Sequence, residues 1–309
     1  MGMGAMVKNN VWSIIILFNP DIERLQSLVH HLMLQNSKII LVNNGSKNCF
    51  ISDLINEYVF LIQLEDNFGI AKAQNVGITF AKKKKAKGIF LFDQDSKISN
   101  NFIPTMLNAK IASSVGMIVP NVLDVNTNKY LEPRIYNRQN SKITVEFPKN
   151  KTTEEVIRKA AKPIASGSYI FMDALMQVGG MREKFFIDAV DTDFSFRLIE
   201  KGYDVFRINN VHLVHPVGNK IERNFFGKKI FLSNHSPKRR YYIGRNNIWL
   251  WKIHFGKING ITKDVFVTLF SQLVYSLLEK SSVSKTSHLI WGILEGLISS
   301  PKEIVREIK

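Results

Sequence analysis

One cysteine, Cys49, stands in 309 residues. An internal disulfide is therefore excluded, and a reducing cytoplasm is the expected setting. Proline is sparse, with nine in all, while 45% of the residues are hydrophobic and 11% aromatic, which excludes a disordered or low-complexity chain. Long apolar runs are missing too. The longest, "VFVTLFSQLVYSLL" (265–278), has 14 residues, short of the roughly 20 that a spanning helix needs. The first, "VWSIIILF" (11–18), runs into Asn19-Pro20 with no cleavage pattern, so no signal peptide is expected. Acids are few: 26 against 42 basic residues leave a net charge of +16. That imbalance points to an anionic partner, whether nucleic acid, an acidic membrane surface or a phosphorylated substrate.

Strand-like and helix-like patterns alternate over the first hundred residues. "SIIILF" (13–18), "KIILV" (38–42), "YVFLIQL" (58–64) and "GIFLF" (88–92) read as buried strands. Between them, Ile22, Leu25, Leu28, Val29, Leu32 and Met33 recur at helical spacing, and "IAKAQNVGITFAKK" (70–83) is rich in alanine. The alternation predicts an α/β fold, a parallel sheet with helices on its faces. Three strands end in polar clusters, Asn43-Asn44-Gly45-Ser46, Asp66-Asn67 and Asp93-Gln94-Asp95, and parallel strands would bring all three to one edge. Beyond residue 112, "VGMIVP" (115–120), "ITVEF" (143–147) and "PIASGSYIFM" (163–172) predict further strands. A helix from about Asp191 and a returning strand follow, with Gly202 as the helix stop.

Asp93 and Asp95 are the first candidates for chemistry. Side chains two apart in an extended segment point the same way, so both carboxylates can face one hard cation, Mg²⁺ or Mn²⁺, bridged to a diphosphate. A second acidic cluster, Asp188, Asp191 and Asp193, lies in "FFIDAVDTDFSFRL". Asp191 could cap the helix and Asp193 could sit favourably in its first turn; near a metal–diphosphate site a carboxylate is also a candidate general base. His215, in "HLVHPVG", is a candidate third metal ligand, with His212 as the alternative.

"LVNNGS", "EDNFGIAKAQNVGI", "FLFDQDS", "ASGSYI", "FFIDAVDTDFSFRLIEKGY", "HPVG" and "SPKRRYYIGRNN" occur in that order. Together they resemble the family 2 glycosyltransferases of GT-A fold and, within them, the bacterial rhamnosyltransferases. The resemblance implies a Rossmann-like nucleotide-binding mixed sheet flanked by helices, with a C-terminal helical appendage. It also implies inverting transfer of a sugar from a nucleotide diphosphate to a lipid-linked or growing surface polysaccharide such as O-antigen or capsule. L-Rhamnose from dTDP-rhamnose is the expected donor, with a UDP-sugar (galactofuranose or another hexose) as the alternative. On the family's pattern Asp93 and Asp95 hold cation and diphosphate, His215 completes the metal shell, and Asp191 is the catalytic base. Asn43, Asn44, Asp66 and Asn67 grip the nucleoside, although the family commonly has Asp where this chain has Asn43. Ser166, Gly167, Asp188, Arg239, Arg240, Arg245 and Asn246 are expected on the acceptor side. Whether Asp188 or Asp193 shares the base role stays open.

Residues 7–220 are expected to form the catalytic domain and 221–309 a basic, aromatic, acceptor- or membrane-facing segment closed by helices. Between 219 and 263 stand eleven Lys or Arg, one acid and eight aromatics. Three readings apply: a solvated surface, a nucleic-acid site, or attraction to anionic lipid and a lipid-linked pyrophosphate. No nucleic-acid motif is present, and the third reading is adopted. The setting expected is the inner face of the cell membrane, with a homodimer through the C-terminal helices as an option. A non-catalytic basic protein on a transferase scaffold is the rival of another class. The closing helices are expected to bury Phe266, Leu269, Phe270, Leu273, Val274, Leu277 and Leu278 in one, and Leu289, Ile290, Ile293, Leu294, Leu297 and Ile298 in the other.

Overall fold

The computed structural model describes residues 10–47, 51–109, 111, 114–139, 142–148, 157–218, 220–225 and 228–305; Cys49 lies outside them. The first half follows the predicted alternation: β1 (Val11–Leu17), α1 (Ile22–Leu34), β2 (Ser37–Asn44), β3 (Val59–Leu64), α2 (Ile70–Lys83) and β4 (Gly88–Asp93). Then come β5 (Lys97–Ile98), α3 (Phe102–Leu107), β6 (Val115–Asp124), β7 (Lys129–Tyr130), β8 (Ile135–Gln139), β9 (Lys142–Glu146) and β10 (Ile157–Lys159). The segment from β11 (Ser168–Phe171) runs through α4 (Met172–Val178) and α5 (Val190–Glu200) to β12 (Asp204–His215). The C-terminal part holds the β13 (Ile221–Phe225) and β14 (Lys228–Leu232) hairpin, α6 (Pro237–His254), β15 (Ile258–Asn259), α7 (Ile261–Leu278), α8 (Ser282–Ile298) and α9 (Pro301–Val305).

The main sheet runs β10-β12-β6-β11-β4-β1-β2-β3. β3, β2, β1 and β4 are parallel, as are β6 and β12, while β11 lies antiparallel between β4 and β6. The sheet is thus mixed. β1 has β2 on one side and β4 on the other, and the crevice at such a reversal of strand order is where open α/β sheets take ligands. Alternating residues build two cores. Ile14, Ile40, Val42 and Leu91 face one side, under α2 and α5; Ile15, Leu17, Leu41 and Phe90 face the other, under α1 and α3.

The C-terminal helices share the first of these cores, through Trp249, Leu250, Ile253, Ile261 and Val265. α7 and α8, however, do not bury the faces predicted. α7 turns in Ile261, Asp264, Val265 and Ser276 and leaves Phe266, Phe270 and Leu277 exposed. Asp264 fixes that rotation: its carboxylate takes Arg134 at 2.6 Å and Lys162 at 2.5 Å. α8 turns in Lys285, Leu289, Gly292 and Gly296 and exposes Ile290, Leu294, Leu297 and Ile298. Its glycines explain why: a Cβ at Gly292 would overlap the Tyr241 carbonyl, and one at Gly296 would meet Ile248. Two backbones can approach that closely only through the glycine face. α7 also begins earlier than its apolar run, and at 18 residues it is long and apolar enough to cross a membrane by length and composition.

Candidate active site

Two strands deliver the acidic centre. Asp93 ends β4, Asp95 follows in the turn, and His215 ends β12. β12 reaches that point because it pairs with β5 (Leu213 opposite Ile98, Val214 opposite Lys97) and bulges between Ile208 and His212. His215 Nε2 lies 3.3 Å from Asp93 Oδ2, and Nδ1 lies 3.2 Å from Asp95 Oδ1. His212 is exposed on the opposite side of the strand, its ring tilted against Tyr130 at 5.3 Å, so His215 is the histidine that meets the acids. Burial lowers the affinity of His215 for its proton, but Asp95 and Asp93 carry its pKa above the ordinary value. Burial raises Asp93, Asp95 adds to the rise, and His215 and Arg239 oppose it.

Among the described residues no three such groups are already arranged round one metal position. The donor set nonetheless suits a hard cation. Two carboxylates and an imidazole converge, and the buried His215 Nδ1 has no hydrogen bond of proper geometry despite its nearness to Asp95.

Asp191 stands in the first turn of α5, its Oδ1 accepting the Thr192 amide at 2.8 Å. Burial lifts its carboxyl to about 6, with Asp188 and Asp93 adding to the rise and Lys162 opposing it. The neighbouring acids are otherwise engaged. Asp188 receives Arg239 in a two-pronged pair at 3.0 and 2.9 Å. Asp193 is fully buried among Arg182, Arg197 (2.9 Å) and His254 (3.1 Å). Burial alone would raise it, yet Arg197, His254 and Arg182 hold it at about 2. Of the three, only Asp191 has no cationic side chain in hydrogen-bonding contact.

The loop leading into α5 is held under strain. Phe186, Asp188 and Ala189 all have φ near +60° (63°, 62° and 61°), a region costly for side-chain-bearing residues. Asn246 pins it: its amide Nδ2 lies 2.7, 2.7 and 3.1 Å from the carbonyl oxygens of Phe185, Ile187 and Asp188. The Phe186 carbonyl in turn accepts the Ile70 amide at the start of α2, and a Cβ at Gly69 would strike Phe186.

The remaining predicted contacts divide into those that face the crevice and those that build its walls. Asp66 is exposed in the turn after β3. Asn43 is 2% exposed and donates to Ser46 O and Gln63 Oε1, at 3.0 and 2.9 Å. A carboxylate could make neither bond, which is a physical reason for asparagine here. Asn44 and Asn67 bond each other and the amides of Phe68 and Gly69. Ser166 accepts the Asp93 amide at 3.1 Å and meets Ser96 Oγ at 2.7 Å, while Gly167, at φ 77°, fits against Pro120 and Leu213. Arg240, Arg245 and Asn246 do not occupy acceptor-facing positions. Arg240 is fully buried against Glu279 at 2.7 Å, and Arg245 is 9% exposed, donating to the Lys184 carbonyl at 2.8 Å. Their α6 is packed between core and α8, so only Arg239 of that basic run reaches the acids.

Gln94 was not singled out in the sequence. Its amide clamps Phe18, accepting the Phe18 N–H at 2.8 Å and donating to its carbonyl at 3.1 Å, and so ties the end of β1 to the turn after β4. The signal was its place between two aspartates, where alternation turns it the other way.

A glycosyl transferase family 2 model matches residues 13–175. The chain is 31% identical over 299 residues to the dTDP-rhamnosyl transferase RfbF of Shigella flexneri, covering 94% of this chain and 96% of that one. The chain belongs to glycosyl transferase family 2. Its fold is GT-A-like. GalNAc-T7, solved with UDP, GalNAc and Mn²⁺, superposes over 93% of this chain with a TM-score of 0.57 at 14% identity. S. aureus TarS superposes over 96% with a TM-score of 0.56 at 13% identity. The transferase spans 56% and 49% of those two chains.

Proposed function

We propose that this chain transfers L-rhamnose from dTDP-rhamnose, with inversion, to a lipid-linked or growing surface polysaccharide at the inner face of the cell membrane. Its likeness, along 94% of its length, to a dTDP-rhamnosyl transferase carries the reading. Asp93, Asp95 and His215 would hold Mg²⁺ or Mn²⁺ with the donor diphosphate, as the Mn²⁺ of the GalNAc-T7 structure supports for the fold. Bound there, the cation would stabilise the negative charge of the departing nucleotide diphosphate.

Asp191 accepts the acceptor hydroxyl proton. With its carboxyl near 6 it is ionised at neutral pH and more basic than an ordinary aspartate. The hydroxyl oxygen attacks the anomeric carbon as the bond to the diphosphate breaks, so no covalent sugar–enzyme intermediate is required. The strained 186–189 loop, held by Asn246, sets where that carboxylate stands. Arg239 lies between Asp188 and the acids of the crevice, placed to meet phosphate oxygens of donor or acceptor.

The test is calorimetry of the purified protein against dTDP, UDP and GDP, each with and without Mn²⁺. Tight dTDP binding only with metal is expected. A preference for UDP would move the donor to another sugar, and no binding of any nucleotide would overturn the enzymatic reading.

A further inference from the structure

The outward face of α8 is largely apolar, interrupted by the exposed Ser287. Val283, Ile290, Trp291, Leu294, Leu297 and Ile298 recur at helical spacing and are all exposed, Trp291 by 60% and Ile298 by 85%. They line a stripe roughly 22 Å long, from the helical rise per residue. A surface helix in water normally shows the reverse pattern. The inward face, with the paired Lys285 and the two glycines, is committed to α6 and cannot exchange places with it.

Exposed charge around this face is mainly positive. Between Phe255 and Val305 the acids are Asp264, Glu279, Glu295 and Glu303. Asp264 is buried on Arg134 and Lys162, Glu279 on Arg240 and Lys285, and Glu295 accepts the Tyr241 hydroxyl at 2.6 Å. Lys257 (3.6 Å from Glu200), Lys263, Lys280 and Lys302 are exposed, as is the one remaining acid, Glu303. An apolar stripe with exposed lysines before and after it, and two of the four acids buried in ion pairs, complements an anionic bilayer. Two copies of the same basic surface would instead repel.

Aromatic contacts run from this face to the crevice. Trp291 meets Tyr241 (5.3 Å between ring centres), Tyr241 meets Tyr242 (5.2 Å), and Tyr242 stacks on Phe186 (4.9 Å), two residues before Asp188. Such rings suit the headgroup boundary.

We infer that α8 lies in the surface of an anionic lipid bilayer, apolar stripe inward, and so sets the acceptor side of the crevice beside the membrane. This deepens the lipid-linked-acceptor reading. Because the test uses neither donor nor acceptor, either can fail alone. Full-length protein is sedimented with vesicles of phosphatidylcholine containing phosphatidylglycerol, and with pure phosphatidylcholine, at low and high salt. Binding is expected to the anionic vesicles, weakened by salt. Leu294→Glu and Ile298→Glu should each cut partitioning by at least about tenfold. Both positions are exposed, so dTDP calorimetry and thermal unfolding should match wild type. Failure to bind anionic vesicles, or variants that bind as wild type does, overturns the inference. So does a wild-type dimer in light scattering that Leu294→Glu dissolves while vesicle binding is absent; the stripe would then belong to a second copy.

Discussion

Asp191→Asn should abolish sugar transfer while making the folded protein more stable, and the gain should depend on pH. The substitution keeps an oxygen that can accept the Thr192 amide, so the helix start is preserved. It removes a carboxylate whose pKa in the folded chain is about 6 against an ordinary 3.8. The folded pKa exceeds the unfolded one, so the native state holds the proton longer. Ionisation between about pH 4 and 6 therefore costs the native state stability. A displacement of that size corresponds to roughly 3 kcal/mol. Variant and wild type should unfold alike in urea at about pH 4, diverge as pH rises, and differ by up to that amount above about pH 6 in metal-free buffer. In a radiolabelled transfer assay the variant should lose roughly 10²- to 10⁴-fold in rate, with metal-dependent dTDP binding retained. Transfer at the wild-type rate, or a variant no more stable than wild type at about pH 8, would refute the reasoning that links this residue's burial to its chemistry.

Asp193 should behave in the opposite way. Its carboxyl is held at about 2, so its stabilisation is complete above the ordinary carboxylate range and is lost as pH falls toward 2. Asp193→Asn should cost roughly 3–5 kcal/mol near neutrality, since Arg182, Arg197 and His254 lose a buried partner, with the difference shrinking in acid as urea titrations would show. Asn246→Ala should leave three loop carbonyls without their donor. Steady-state kinetics should show kcat lowered by about tenfold or more with dTDP affinity little changed, and hydrogen exchange should quicken around 185–189.

The alternation of strands and helices was legible because each buried strand is a short run of β-branched and aromatic residues, and each run ends in a polar cluster that strand direction carries to one edge. The same rule placed Asp93 and Asp95. It also made His215 a candidate beside them, although the choice over His212 awaited the strand's facing. What misled was α6: its arginines and Asn246 lie in a stretch that reads as a basic surface, yet Arg240 and Asn246 are fully buried. Composition cannot tell a solvated arginine from one paired inside, because the partners, Glu279 and the carbonyls of 185–188, lie 39 or more residues away or in another element.

By itself, the sequence determined the α/β architecture, the acidic edge and the acid pair two residues apart, since these depend on local periodicity and strand polarity. Tertiary structure alone decided the rest. Asp191 and not Asp188 or Asp193 is left without a cationic partner in hydrogen-bonding contact, Gln94 ties the end of β1 to the turn after β4, and α8 turns its glycines inward and Leu294 and Leu297 out. Each of these follows from contacts between segments far apart in the chain, where a glycine face or a distant counter-charge overrides what hydrophobic spacing predicts.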